Sequence, residues 1–187
     1  MNNLGLCGAH RTGKTTLAMA IATRLNIPFV RTTASQVFAK LGLNPAEPMD
    51  FPTRLFVQHH VLDAAEQIWD DSSTPFISDR TPIDMIAYTL ADIQGKTEVD
   101  FAQLNAYCDR CFASTNQFFQ NLAIVQPGIP LVYEEGKAAL NKAYIEHINI
   151  LMIGLCNDSR LKADVFCNPR DAIALDLRIS NILRTKS

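Results

Sequence analysis

A chain of 187 residues with nearly half of them apolar (48%) is sized for one domain with a substantial core, and its formal net charge of −2 does not point to a duplex-binding protein. No apolar run approaches the length of a membrane span. Five cysteines without an export signal read as reduced thiols of a cytoplasmic protein, and the first strand starts so near Met1 that no leader or upstream domain is expected.

Leu4, Leu6 and Cys7 form a short apolar run. Gly8-Ala9-His10-Arg11-Thr12-Gly13-Lys14-Thr15-Thr16 follows it and fits G-x-x-x-x-G-K-S/T, the phosphate-binding P-loop. Residues 16–25 then read as a helix, with Leu17, Ala18, Ile21, Ala22 and Leu25 on one face. A strand, loop and helix in that order gather backbone N–H groups around an anion at a helix N-terminus, where the dipole also favours negative charge. Gly8 and Gly13 permit the tight turn and the close approach of phosphates. Lys14 is placed to reach the β- and γ-phosphates of ATP, and Thr15 to hold Mg²⁺ through its hydroxyl. Ala9, His10, Arg11, Thr12 and Thr16 complete the nucleotide-binding loop; His10 and Arg11 stand at its variable positions and receive no catalytic role.

Residues 27–30 are a second strand, with Arg31 at its carboxyl end, and residues 34–41 a short helix. A proline-rich loop leads to a long helix over residues 51–69, with Pro52 acceptable in its first turn. A third strand delivers Asp79-Arg80, and a helix with Pro82 in its first turn starts directly after. Residues 101–119 are helical, 122–126 a compact strand, and 127–136 irregular, with the acidic pair Glu134-Glu135. Residues 141–156 recur at helical spacing, 163–167 form the last strand candidate, and 171–183 the last helix. Five strands alternating with helices imply a parallel sheet covered on both faces, whose ligands bind beyond the carboxyl ends of the strands. The P-loop, Arg31, Asp79-Arg80 and Gln126-Pro127 all fall at those ends.

Phosphoryl transfer needs mainly positioning and charge neutralisation, so an acid beside the P-loop is the minimum set. Asp79 suits Mg²⁺ or a proton, and Arg80 can grip an anionic acceptor as a guanidinium fork. Arg31 offers a second contact to an acceptor. Arg54 and Gln58, one turn apart on the long helix, can hold an anion and a base edge. Asp84 lies four residues after Arg80, so an intrahelical ion pair is as good a reading as a site role. Lys137 and Lys142 flank the end of a lid over residues 127–142, and Lys137 is the candidate to close on the transferring phosphate. Cys108 and Cys111 form a lone C-x-x-C with no partner pair, so burial in a helix is expected rather than zinc.

The P-loop segment, the helix from Phe51 to Gln67 and the segment from Ile77 to Tyr88 resemble P-loop nucleotide and nucleoside kinases. The likeness is to the small AAA-type ATPase/kinase group that includes the ribosylnicotinamide kinase domain and many phage-encoded proteins; Asp79-Arg80 also resembles the pair of thymidylate and deoxynucleoside kinases. The resemblance implies a three-layer fold with a five-stranded sheet of order 2-3-1-4-5, ATP and Mg²⁺ as donor pair, and a small nucleoside or nucleotide as acceptor. Two departures stand out. Many such nucleoside kinases carry an acid at the end of the second strand, where this chain has Phe29-Val30-Arg31-Thr32-Thr33, and related lids read Asp-Gly-x-Arg where this chain has Glu135-Gly136-Lys137-Ala138. The first reading is therefore a (deoxy)nucleoside monophosphate kinase. Its alternatives are a kinase of nucleosides or of a hydroxymethylated base in DNA, the one reading with a nucleic-acid partner, and an ATP-hydrolysing switch.

Overall fold

The computed structural model describes residues 2–32, 34–44, 47, 49–73, 75–132 and 140–184. In chain order they form β1 (Leu4–Cys7), α1 (Lys14–Leu25), β2 (Phe29–Val30), α2 (Ala34–Lys40), α3 (Phe51–Asp70), β3 (Ile77–Ser78), α4 (Pro82–Ala91), α5 (Phe101–Phe118), β4 (Asn121–Val125), α6 (Lys142–Cys156), β5 (Asp164–Asn168) and α7 (Leu175–Arg184). The strands build one parallel sheet of order β2-β3-β1-β4-β5, the topology expected from the sequence.

Two cores cover the two faces of that sheet. On one, Leu4, Leu6, Ile77, Ala123 and Val125 pack against Leu17 and Ile21 of α1 and Ile179 and Ile182 of α7. On the other, Cys7, Leu122 and Ile124 meet side chains of α3, α4, α5 and α6, with Trp69, Phe76 and Phe119 in edge-on ring contacts. The central strands are buried on both sides, as a doubly covered parallel sheet requires. β5 is one of the two edges: Asp164 and Val165 are exposed, which is how an acid is tolerated in the strand.

Local chemistry sets the helix starts. Asp50 accepts the Thr53 N–H at 2.8 Å and Asn141 the Tyr144 N–H at 3.1 Å, so α3 and α6 begin with side-chain caps. α1 has no such cap. Gly13 (φ 77°) turns the chain in the left-handed region, and the helix begins at Lys14, two residues earlier than the apolar periodicity indicated. α7 begins four residues later than residue 171. Residues 169–174 instead make turn bonds (Ala172 N–H to Pro169 O at 3.2 Å, Ile173 N–H to Asp171 O at 2.9 Å), and Gly128 lies so close to the Arg170 carbonyl that no side chain would fit there. Among the described residues no helix is long and apolar enough to cross a membrane.

Candidate active site

β1 runs straight into the phosphate loop. A Cβ on Gly8 would stand 2.5 Å from the Val125 carbonyl of β4, so only glycine leaves the strand here. Arg11 (φ 63°) and Gly13 (φ 77°) both adopt the left-handed conformation, which curls the loop. The Thr12 hydroxyl closes the curl by donating to the Ala9 carbonyl at 2.9 Å. The amino group of Lys14 folds inward and donates to the Gly8 and Ala9 carbonyls, the second at 2.9 Å. Burial lowers its pKa, and the Asp84 carboxylate, 3.8 Å away, opposes that shift.

The loop faces a cleft of about 520 Å³. Loop residues from His10 to Thr16 form its floor, Arg31, Thr32, Asp79 and Arg80 one wall, and the apolar strip Ile129-Pro130-Leu131-Val132 the other. The Thr15 hydroxyl donates to Asp79 Oδ2 at 2.5 Å, so a hydroxyl and a carboxylate oxygen meet at the start of α1. Mg²⁺ takes hard oxygen ligands, one or two carboxylates at most, and fills its shell with water and phosphate oxygens. This pair fits it, and the described residues hold no cluster of three or more His, Cys, Asp or Glu side chains that would suit an all-protein metal cage.

Arg80 is half-buried, with its guanidinium carbon 5.8 Å from the Tyr88 ring centroid. Arg31 is exposed at the cleft wall. Arg11 reaches across to the Val132 carbonyl at 3.5 Å. Arg54 and Gln58 are not brought to this cleft. Arg54 pairs with Asp92 at 3.0 Å in a neighbouring depression at the start of α3, because the half-buried Asp92 carboxylate at the end of α4 needs a counter-charge; Gln58 lines neither space. Lys137, with Glu134 and Glu135, lies outside the described residues.

Asp84, Tyr88 and Arg178 also tie the loop to the rest of the molecule. Asp84, buried in the first turn of α4, accepts the Gly8 N–H at 3.2 Å through one oxygen and the Thr81 N–H and hydroxyl, at 2.9 and 2.8 Å, through the other. It faces β1 and is not paired with Arg80, so its charge serves the loop rather than the surface of its helix. The pattern Thr81-x-x-Asp84 before an apolar run carried the signal, since an acid at the third helical position reaches back to the N–H of the N-cap. Tyr88 accepts the His10 backbone N–H at 2.7 Å, with His10 Nδ1 at 3.2 Å from the same hydroxyl, and Tyr144 of α6 stands 5.9 Å from the His10 ring. Arg178 of α7 donates to the Thr12 carbonyl at 2.6 Å. Nothing local in the sequence marks Tyr88 or Arg178. Cys111 of the C-x-x-C is buried, and desolvation pushes its thiol up to about 12.

Comparison with known proteins agrees with the architecture. A family model described as an AAA domain matches residues 4–120. Deoxyadenosine kinase from M. mycoides with bound dCTP superposes with a TM-score of 0.68 at 14% identity, over 98% of each chain. Thymidylate kinase from Ehrlichia chaffeensis gives 0.66 at 12% identity, over 100% of this chain and 98% of that one. NadR protein in complex with NR gives 0.62 at 18% identity, over 97% of this chain and 51% of that one. A tRNA dimethylallyltransferase of Nostoc punctiforme is 34% identical over 74 residues, 40% of this chain and 23% of the relative, so the chain matches about a quarter of that protein's length. The structural neighbours share the P-loop kinase fold, and the resemblance read from the sequence is borne out.

Proposed function

The chain belongs to the AAA domain family, and from that premise we propose that it moves the γ-phosphoryl group of ATP to a (deoxy)nucleoside monophosphate. One observation carries the reading: the cleft that holds the P-loop, with its own Arg11, and the Thr15–Asp79 pair also presents Arg31 and Arg80 on one wall. In this reading loop N–H groups other than those of Gly8 and His10, which are taken by Asp84 and Tyr88, cradle the triphosphate, and Lys14 exchanges its loop carbonyls for β- and γ-phosphate oxygens. Thr15 and Asp79 would hold Mg²⁺, which when bound supplies charge neutralisation at those oxygens. The apolar strip at Ile129 to Val132 suits the donor base. Arg80 and Arg31 hold the acceptor dianion in line with the γ-phosphate, where guanidinium forks match its oxygens. Residues 127–142 act as the lid, with Lys137 as the cation offered to the transferring group.

A hydroxyl acceptor would need a base, a dianionic acceptor needs cations, and the end of β2 supplies Arg31 and no acid. The test is ATP turnover against nucleosides, nucleoside monophosphates and hydroxymethylated DNA. Monophosphates should be the best acceptors. Faster turnover of free nucleosides would make Asp79 the hydroxyl's base and favour the nucleoside kinase, and turnover that no acceptor changes would favour the ATP-driven switch.

A further inference from the structure

Arg178 enters the phosphate loop from the far end of the chain, 166 positions after Thr12. Its residue is only 4% exposed. One nitrogen, Nη2, donates to the Thr12 carbonyl at 2.6 Å, while Nη1 stands 3.1 Å from where a Cβ on Gly13 would sit. The guanidinium therefore abuts the Thr12–Gly13 segment, and it does not line the cleft. Burial alone acts on it, pulling its pKa below the usual guanidinium value, and no carboxylate among the described residues offsets that effect.

An arginine buried without a counter-ion is expensive, and proteins otherwise pair such a group or expose it. The other arginines of the described residues that are held by side chains have acids: Arg54 has Asp92, Arg110 has Asp63 and Glu66, Arg160 has Asp109 and Asp158, and Arg170 has Glu146. The group that Arg178 backs is a loop shaped for a polyanion. We propose that Arg178 is a positioning residue for the donor triphosphate, fixing the Thr12–Gly13 segment and lending the loop a positive charge whose counter-ion is the bound polyphosphate. The inference rests on the ATP-binding reading of the loop.

The test compares wild type with Arg178→Lys, Arg178→Gln and Arg178→Met by calorimetric titration with ATP and with inorganic tripolyphosphate. Glutamine keeps a donor for Thr12 and removes the charge; lysine keeps the charge. A charge-assisted contact of ordinary strength corresponds to about tenfold in affinity or more. Arg178→Gln and Arg178→Met should therefore weaken both ligands about tenfold, with Arg178→Lys within about threefold of wild type. In turnover the loss should appear in KM for ATP rather than in kcat. The melting temperature of the ligand-free Arg178→Gln protein should not fall, since an uncompensated buried charge has gone. Arg178→Gln decides if Arg178→Met does not fold. A loss below about fivefold in Arg178→Gln would overturn the proposal and leave a structural tether, and an equal loss in Arg178→Lys would overturn the charge account. Wild-type protein that binds neither ligand would overturn the donor-site reading and this inference together, whereas wild-type binding with unchanged Arg178→Gln affinity overturns this inference alone.

Discussion

Replacing Asp84 by asparagine changes no volume and removes one charge, which makes it a sharp probe of how the phosphate loop is held. The carboxylate is 1% exposed and all its neighbours are donors: Gly8 N–H, Thr81 N–H, the Thr81 hydroxyl and, at 3.8 Å, the Lys14 ammonium. An asparagine has one oxygen to offer. If that oxygen stays on Gly8, its NH₂ faces the Thr81 N–H and leaves a buried donor unmet, at a cost of about 1–3 kcal/mol. The bond to Gly8 also loses its charge assistance, so a total near 3 kcal/mol is expected. For a chain of this size that corresponds to a fall in Tm of about 6–12 °C. The second effect is electrostatic. Asp84 is the largest influence raising the Lys14 pKa against its burial, so the asparagine variant lowers that pKa further. The ammonium then discharges at lower pH, and the alkaline limb of ATP binding moves to lower pH. Scanning calorimetry measures the first effect and ATP titrations from pH 6 to 10 the second. A Tm within about 2 °C of wild type with an unmoved pH profile would refute the account, because it would mean that Asp84 is already uncharged in the folded protein.

Lys14→Ala should abolish ATP-dependent thermal stabilisation with the fold intact, and unchanged ATP affinity would sink the donor-site assignment. Arg80→Ala should raise the acceptor KM roughly ten- to a hundredfold while ATP binding stays near wild type, from about 1.5–3 kcal/mol per charge-assisted contact; Arg31→Ala, at an exposed position, should act in the same sense but less. Asp79→Asn should raise the Mg²⁺ concentration for half-maximal turnover severalfold, and an unchanged Mg²⁺ requirement would remove Asp79 from that role. Elemental analysis of purified protein should find no zinc; one zinc per chain lost on changing Cys108 and Cys111 would contradict the burial of that pair.

Sequence patterns reported the sheet well because its strands are short apolar runs set between turn signals, and the order 2-3-1-4-5 came with the P-loop resemblance rather than from any strand's own residues. They reported boundaries less well where the backbone, not a side chain, makes the stop. α1 starts at Lys14 because Gly13 is left-handed, and apolar periodicity cannot register a helix turn whose residues face the cleft. α7 starts late because the loop at Arg170 is pressed onto Gly128, a contact between segments far apart in sequence. The site divided the same way. The loop and the Thr15–Asp79 pair were readable, since each sits at a motif position. The place of Arg54 outside the cleft was not legible, because its partner Asp92 follows a different helix. Asp84 stayed open between two readings because its i, i+4 relation to Arg80 competed with its capping relation to Thr81, and burial decided for the second. Tyr88 and Arg178 were invisible because they act on loop backbone atoms from 78 and 166 positions away.

The charges around the cleft bear on the acceptor. Lys14, Arg11, Arg31 and Arg80 line it, and among the described residues Asp79 is the acid that shares it with them. Asp84, a nearby acid, has its oxygens taken up by Gly8 and Thr81, and Asp92 has Arg54. A triphosphate with Mg²⁺ at Thr15 and Asp79 would satisfy Lys14 and the loop N–H groups, leaving Arg31 and Arg80 without a partner on the acceptor side. The half-buried Arg80 facing a neutral nucleoside would keep a desolvation cost, and the exposed Arg31 would gain nothing; facing a monophosphate both would serve its recognition. A cleft of about 520 Å³ also matches small-molecule sites in size, which suits a free nucleotide better than a base presented on a strand of DNA. On this argument acceptor charge, more than base or sugar, is what the site selects first, and the ratio of kcat/KM for a monophosphate over its own nucleoside should collapse in the Arg31→Ala, Arg80→Ala double variant.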